Sequence, residues 1–208
     1  EGGQYFETLK WLSYKKWDGQ KNNSPSFECP HCGTKVDSGI PYDQDTGTCS
    51  FCGKEVLLTD MVGFHLDMNE DNAPVSVASS YMLIMEMLML FTVIRLQWLN
   101  RDQSLVSNTL FIKDGPMMLN GQYSKLVPNI REFLNYAKNQ GRPIHLVASE
   151  KSGSFFDYLS LSSRFVKPEP GKIKYAVLNH GYIRRVIQRA PDRGNPYGLR
   201  TNWGEKVF

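Results

Sequence analysis

The sequence has few cysteines, little excess of charge of either sign and no apolar run as long as a membrane-spanning helix. Only four of its 208 residues are cysteine, and nothing in it resembles a signal peptide, so a secreted disulfide scaffold is disfavoured. Its 24 basic and 21 acidic side chains give a formal net charge of +3. So mild a charge permits nucleic acid as a partner but does not require it. The sequence contains no internal repeat and no low-complexity tract.

The one candidate for a membrane segment is YMLIMEMLMLFTVI at residues 81–94, which is 14 residues long, contains Glu86 and is followed by Arg95. A membrane-spanning helix needs about 20 apolar residues. We therefore predict a core helix over residues 76–100, no membrane partner and a cytoplasmic protein. Because this helix is apolar on nearly all sides, it is expected to be buried over most of its surface.

The bulk composition indicates a globular protein, with 41% apolar and 22% charged residues. Short apolar runs predict buried strands at residues 109–113 and 143–148. Helical spacing predicts a helix at 126–140, with Gly141 as its C-terminal cap, and another at 154–162. Strands that alternate with helices favour an α/β fold with a mostly parallel sheet. Since the first residue is not methionine, we expect a segment of a longer chain.

The four cysteines form two C-x2-C pairs, CPHCG and CSFCG, with sixteen residues between them. This spacing predicts a zinc ribbon whose ligands are Cys29, Cys32, Cys49 and Cys52. Each pair puts two thiolates on one tight turn, and the glycine after it lets backbone amides turn toward sulfur. Because all four ligands are cysteine, no position is open to water and the zinc is expected to be structural. Two disulfides are the alternative, and His31 is expected to be a surface residue.

Two carboxylates have unusual positions. Asp114 ends an apolar strand and is followed by Gly115 and Pro116, so a plain turn is one interpretation. The other is a metal ligand, because many α/β folds hold a metal-binding aspartate at the end of a central strand. Glu86 lies among apolar residues of the predicted helix, where an unpaired carboxylate would be costly. It needs a metal, an exposed groove, or a basic partner such as Arg95 or a lysine, and the sequence leaves these alternatives open.

Basic residues follow the second predicted strand and recur near the end of the chain. Lys151 could neutralise a phosphate, although an ordinary loop lysine is the common alternative. The segment YIRRVIQRAPDRG brings together Arg184, Arg185, Arg189 and Arg193. Such a cluster is typical of a solvated helix face, and it would also suit a DNA backbone.

Five segments resemble the NurA nuclease family and occur in that family's order: GFHLDMNEDN, YMLIMEMLMLFTVIR, LFIKDGPM, PIHLVASEKSGSF and NPYGLRTNWG. The preceding ribbon is similar to inserts in some members. The resemblance implies an RNase H-like mixed sheet flanked by helices, with the zinc ribbon as a small insert. It implies a manganese- or magnesium-dependent DNA nuclease. It further implies a homodimer that works with a HerA-like hexameric ATPase in DNA end processing or phage defence.

By position, the resemblance implies that Asp114 is the metal-binding aspartate of an inner strand and Glu86 the helix carboxylate that faces it. Lys151 matches a basic residue near the site. In this chemistry two divalent ions about 4 Å apart stabilise the attacking water and the leaving oxygen. The family's first aspartate, in a DGS turn, has no counterpart, because Asp18 follows two lysines and no apolar strand. Its late histidine is also missing, since His180 precedes the NWG strand. We expect that the chain is incomplete at both ends or that the site is degenerate.

These observations predict three regions: an N-terminal helical or linker segment at 1–27, the ribbon at 28–56 and a NurA-like domain at 57–208. A competing interpretation is a catalytically inactive RNase H-like domain whose ribbon adapts a translocase to DNA. The missing DGS aspartate favours that interpretation. A general zinc-ribbon transcription or RNA-processing factor would explain the cysteines but not Glu86.

Overall fold

The computed structural model describes residues 2–19, 26–36, 39–66, 68, 74–115, 126–167, 169–187 and 206–207. The chain divides into two compact units, Glu1–Lys113 with Met117–Val147 and Asp114–Pro116 with Ala148–Phe208. The predicted limits after residues 27 and 56 stay a prediction. Residues of the N-terminal helix, the ribbon and the long helix contribute to one hydrophobic core.

The described residues form a mixed α/β structure with short sheets. The helices are α1 (Gly2–Ser13), α2 (Pro74–Trp98), α3 (Leu126–Asn139), α4 (Ser154–Ser162) and α5 (His180–Tyr182), which continues as a π-helical segment, Ile183–Ile187. The strands are β1 (Phe27–Glu28), β2 (Lys35–Val36), β3 (Thr46–Thr48), β4 (Glu55–Leu57), β5 (Leu110–Asp114), β6 (His145–Ser149), β7 (Val177–Leu178) and β8 (Lys206–Val207). Strands pair as β1–β2, β3–β4, β5–β6 and β7–β8. The predicted α/β class is confirmed at this coarse level.

The regular pattern of apolar residues located five of these elements within two residues, namely α2, α3, α4, β5 and β6. Helix α4 has the predicted limits, and α3 begins at the predicted residue. Gly141 ends α3 as expected: its φ is 71°, and the next amide, that of Arg142, donates to the Ala137 carbonyl at 2.9 Å. This left-handed backbone closes a helix and favours glycine.

An aromatic cluster holds α1 and α3 together in the first unit. The ring of Phe133 on α3 lies edge-on to Trp11 of α1, with centroids 4.8 Å apart, and edge-on to Trp98 at 5.2 Å. Buried Asn129 donates to the carbonyl of Leu12 at 3.0 Å, which satisfies a carbonyl near the end of α1. Tight aromatic packing of this kind adds to the free energy of simple burial.

A buried polar network joins α1 to α2. The Arg95 Nε donates to the Thr8 hydroxyl at 3.1 Å, and Nη2 donates to Oε1 of Gln4 at 2.5 Å. The hydroxyls of Thr8 and Thr92 are also hydrogen-bonded, at 2.8 Å. Arg95 therefore makes hydrogen bonds within the helix pair, and the basic partner of Glu86 is a different residue.

Helix α2 is less buried than the sequence indicated, and the expectation of burial over most of its surface is wrong. One side joins the core, but the elements packed against it leave the opposite side in solvent. Val75, Met82 and Met89 are 76%, 56% and 51% exposed. Within the described residues α2 is long and apolar enough to cross a membrane, with 39% of its most apolar 18 residues buried. The core helix of a soluble protein can have the same length and composition.

The second unit has a smaller packed centre. Phe155 of α4 and Ile183 are buried, and the hydroxyls of Tyr158 and Tyr182 form a short hydrogen bond between them. This neighbouring hydroxyl, together with desolvation, raises the pKa of Tyr158.

Candidate functional site

Two equivalent turns carry the four cysteines, and each turn joins the strands of one short antiparallel pair. In the first turn the amide of Cys29 donates to the Thr34 carbonyl, and the amide of Gly33 donates to the Cys29 carbonyl, both at 2.9 Å. The second turn repeats these bonds at the same distance from Cys49 and Gly53. Both glycines have φ of 70°, a left-handed conformation that other residues adopt at a cost. The C-x2-C-G pattern therefore dictates the local backbone.

The four sulfur atoms lie within 4.8 Å of one another. The Sγ atoms of Cys29 and Cys52 are 3.8 Å apart, as are those of Cys32 and Cys49. Zinc–sulfur bonds of about 2.3 Å in a tetrahedron require sulfur–sulfur distances of about 3.8 Å. A disulfide would require about 2.05 Å, and the four cysteines are free. The geometry fits one tetrahedral metal ion and not the alternative of two disulfides.

Hydrogen bonds lower the pKa of two of the four thiols. The side-chain and backbone groups of Thr34 lower the pKa of Cys32 to about 6, and the amides of Cys52 and Phe51 lower that of Cys49. An amide hydrogen bond also acts to lower the pKa of Cys52, but desolvation and the neighbouring thiols raise it to about 11. The thiolate is the form that binds metal, so the site holds negative charge before a cation completes its deprotonation.

His31 lies between two cysteines but outside the group of metal ligands, as predicted. Its side chain is exposed, and its Nε2 lies 3.0 Å from the carbonyl oxygen of Glu55. Its backbone amide contributes to the site by donating to the Cys29 sulfur at 3.4 Å. Lys35 and Lys54 of the ribbon are also exposed.

The ribbon rests directly on α1. The hydroxyl of Tyr14, whose side chain is fully buried, donates to the carbonyls of Ile40 at 2.5 Å and Pro41 at 3.0 Å. Cys29 and Cys49 are 2% and 1% exposed and belong to the hydrophobic core that includes α1. A metal at the four sulfurs would therefore be anchored to the core of the first unit.

Asp114 lies at the end of β5, where the strand meets a left-handed turn. Its Oδ2 is 2.6 Å from Nζ of Lys151, and the two side chains are 68% and 71% exposed. Gly115 has φ of 79°, and its amide donates to the Ser149 carbonyl at 2.8 Å. The turn interpretation therefore holds for the backbone, while the aspartate side chain is accessible and has a cation beside it. The adjoining Pro116 lies outside the described residues.

Glu86 has a lysine as its partner. Its Oε2 lies 2.9 Å from Nζ of Lys113, and the exposed fractions are 40% for the glutamate and 6% for the lysine. Of the alternatives that the sequence left open for Glu86, the structure shows a lysine partner and a partly exposed position beside the uncovered side of α2. Sequence reasoning missed Lys113, although the period of two in β5 carried the signal: Phe111 and Lys113 share the buried face of the strand.

Glu86 belongs to the first unit and Asp114 to the second, and their approach to one metal ion stays a prediction. Among the residues that the structure describes, one group of three or more potential metal ligands lies close enough together to share an ion. That group consists of the four cysteines. An apolar void of about 10 Å³ in the first unit is far too small for a substrate. Its lining residues include Leu12, Ile84, Leu88 and Ile130.

The structure describes only some of the basic and C-terminal residues that the sequence singled out. Arg185 is exposed, and its Nε donates to the Gly181 carbonyl at 3.2 Å within the helix. Arg189, Arg193 and the NWG motif lie outside the described residues. His180 begins α5.

Comparison of the chain with protein-family models, curated proteins and solved structures found no match. The resemblance to NurA nucleases therefore rests on the five sequence segments. What the structure adds is a four-cysteine cluster with the geometry of a zinc site.

Proposed function

We propose that this chain is part of a cytoplasmic, metal-dependent DNA nuclease of the NurA type, with an RNase H-like domain and a structural zinc ribbon. It would act as a homodimer with a HerA-like hexameric ATPase in DNA end processing or anti-phage defence. The order of the five motifs supports this proposal. The observation that carries it is Asp114, an accessible carboxylate at a strand end with Lys151 at 2.6 Å.

Asp114 would be a ligand for manganese or magnesium, ions that prefer carboxylate oxygen. The bound ions would supply an activated water and stabilise the leaving oxygen of the phosphodiester. Lys151 would offset negative charge on the scissile phosphate once the metal has replaced it as the partner of Asp114. Because the ion pair is largely solvent-exposed, separating it costs little, about 1 kcal/mol or less.

Glu86 would complete the set of ligands from α2. Its carboxylate is 40% exposed, so one of its oxygens can be reached while the other remains beside Lys113.

The zinc ribbon would have a structural role. Its four cysteine ligands leave no open coordination position, and two of them are buried in the core. The ribbon would stabilise the first unit and present its exposed outer surface to DNA or to the translocase.

A second candidate function is a catalytically inactive adaptor that links a translocase to DNA. The ion pair of Glu86 with Lys113 favours it, because that carboxylate already has a cationic partner. The missing DGS aspartate points the same way.

The deciding experiment measures cleavage of linear DNA by the full chain and a HerA-like ATPase, with manganese or magnesium. Asp114→Asn keeps the side-chain shape and removes the charge that a metal needs. We expect it to lower the cleavage rate by roughly 100-fold or more while DNA binding persists. Asp157→Asn, at another exposed aspartate of the second unit, is the matched control and should cut like the wild type.

Full activity of the Asp114→Asn variant would show that Asp114 is not a catalytic residue. If the wild-type complex cuts no DNA with any divalent metal but still binds it, the adaptor function is correct.

A further inference from the structure

The four cysteines of the ribbon differ in how far solvent can reach them. Cys29 and Cys49 are 2% and 1% exposed and belong to the hydrophobic core of the first unit. Cys52 is partly buried, whereas Cys32 is exposed. A small oxidant dissolved in water therefore meets the side chain of Cys32 before it meets the other three.

The surroundings of Cys32 are open as well. Its two neighbours on the first turn, His31 and Gly33, are both exposed. A cysteine that binds metal does so as a thiolate, and accessible thiolates are the form of cysteine that peroxides oxidise. Exposure and negative charge together favour Cys32 as the ligand that an oxidant attacks first.

A buried cysteine lies within reach of the exposed one. The Sγ atoms of Cys32 and Cys49, one from each turn, are 3.8 Å apart. A disulfide requires about 2.05 Å, so the two atoms would have to come about 1.8 Å closer. Because Cys32 is exposed and Cys49 lies in the core, we expect the first turn to make this movement.

The other two cysteines are better protected. The Sγ atoms of Cys29 and Cys52 are also 3.8 Å apart, but Cys29 is buried and Cys52 is only partly exposed. A thiol that is shielded from solvent reacts more slowly with an oxidant in solution. We therefore expect Cys29 and Cys52 to stay reduced while the first pair is oxidised.

We propose that Cys32 and Cys49 form an oxidation site at which hydrogen peroxide releases the zinc of the ribbon. The thiolate of Cys32 attacks one peroxide oxygen, the O–O bond breaks, and a sulfenic acid and a hydroxide ion form. The thiolate of Cys49 then attacks the oxidised sulfur, so that an S–S bond forms, the S–O bond breaks and a second hydroxide leaves. The two thiolates lose two electrons, which the peroxide gains, and two protons from solvent neutralise the hydroxides.

The disulfide opens the metal site, because the two remaining cysteines cannot surround zinc with four protein ligands. Zinc bound at such a site contributes directly to folding, so its loss weakens the ribbon. The ribbon is joined to α1 through the Tyr14 hydroxyl, which donates to the Ile40 carbonyl, and through the shared core. Oxidation at one exposed turn therefore lowers the stability of the first unit. The inference rests on the proposed zinc site and is independent of nuclease activity.

Treatment of the zinc-loaded full chain with a small molar excess of hydrogen peroxide tests the proposal. A chromogenic zinc chelator should detect about one zinc ion released per chain. Mass spectrometry after alkylation of the remaining thiols should find a disulfide between Cys32 and Cys49. Cys29 and Cys52 should both be alkylated. The Tm should fall by about 5 °C or more, and dithiothreitol added with zinc should restore it.

Two variants that each keep four potential ligands locate the reactive sulfur. Cys32→His and Cys52→His both create a set of three cysteines and one histidine, which is a common structural zinc site. Cys32→His removes the sulfur that the oxidant meets first, so it should release zinc at least about 10-fold more slowly than the wild type. Cys52→His is the matched control, because it keeps Cys32 and Cys49 and should release zinc at close to the wild-type rate. Each rate is expressed relative to the zinc that the protein held before oxidation.

Three results would overturn the proposal: a wild type that keeps its zinc in peroxide, a first disulfide between any other two cysteines, or equal rates of release from the two histidine variants. A reduced chain that binds no zinc before peroxide is added would contradict the zinc site on which the inference rests. Failure of the nuclease proposal would change none of these expected results, since none of them is measured by DNA cleavage.

Discussion

The ribbon and the carboxylate region differ in how their candidate ligands are held. Four sulfur atoms converge within 4.8 Å, fixed by backbone hydrogen bonds and by two buried cysteines. Glu86 and Asp114 instead are partly or largely exposed, and each is ion-paired with a lysine. The first arrangement has one evident chemical use, which is to bind a soft or borderline cation. The second is compatible with both catalysis and ordinary surface electrostatics.

This difference follows from how far each site depends on the rest of the chain. A C-x2-C-G turn fixes its own geometry through residues five apart, so its spacing is enough to predict it. The carboxylates depend on the mutual placement of a helix and a strand end, which no local motif encodes. The difference can be tested by substitutions in each region, beginning with the largest expected effect.

The largest effect is expected at the metal ligands. Cys49→Ser removes a buried ligand and should reduce bound zinc from about one ion per chain to near none. Because a structural zinc contributes directly to folding, we expect the Tm to fall by roughly 10 °C or more. Metal analysis and a thermal melt measure the two effects.

His31→Ala is the matched control for the ribbon, since His31 adjoins two ligands but is exposed outside the cluster. Its zinc content should equal that of the wild type. If the Cys49→Ser variant bound about one zinc ion per chain and had the Tm of the wild type, the contrast between the ribbon and the carboxylate region would be contradicted.

An intermediate effect is expected at Lys113. Its side chain is 6% exposed, and Lys113→Ala removes both its buried stem and the cation beside Glu86. We expect a loss of about 1–3 kcal/mol in the free energy of unfolding, measured in urea. Lys151→Ala removes the cation from an exposed pair and should change stability by at most about 0.5 kcal/mol. Equal losses for the two variants would contradict the contrast in burial.

A smaller effect is expected where the ribbon meets α1. Tyr14→Phe deletes the hydroxyl that donates to Ile40 and Pro41 and leaves two carbonyls with one donor fewer. The free energy of unfolding should fall by about 1–2 kcal/mol, with zinc content unchanged. Stability equal to the wild type would show that the ribbon does not depend on this contact.

Much of the fold could be read from periodicity and turn chemistry. Helix α3, its Gly141 cap and helix α4 follow from local residues, and so do the two cysteine turns. The exposure of α2 could not be predicted, because an apolar helix does not reveal how many neighbours cover it. Lys113 was missed for a related reason: the alternation with Phe111 places it on the buried face of β5, but it does not reveal which side chain lies beside it. These failures concern tertiary environment, which sequence spacing does not specify.

We infer that the chain forms one zinc site from its four cysteines. X-ray absorption at the zinc edge of the purified full chain tests it most directly. We expect four sulfur neighbours at about 2.3 Å from the zinc and no nitrogen or oxygen ligand. Zinc with two or fewer sulfur neighbours, or a zinc-free protein whose cysteines are paired as disulfides, would contradict it.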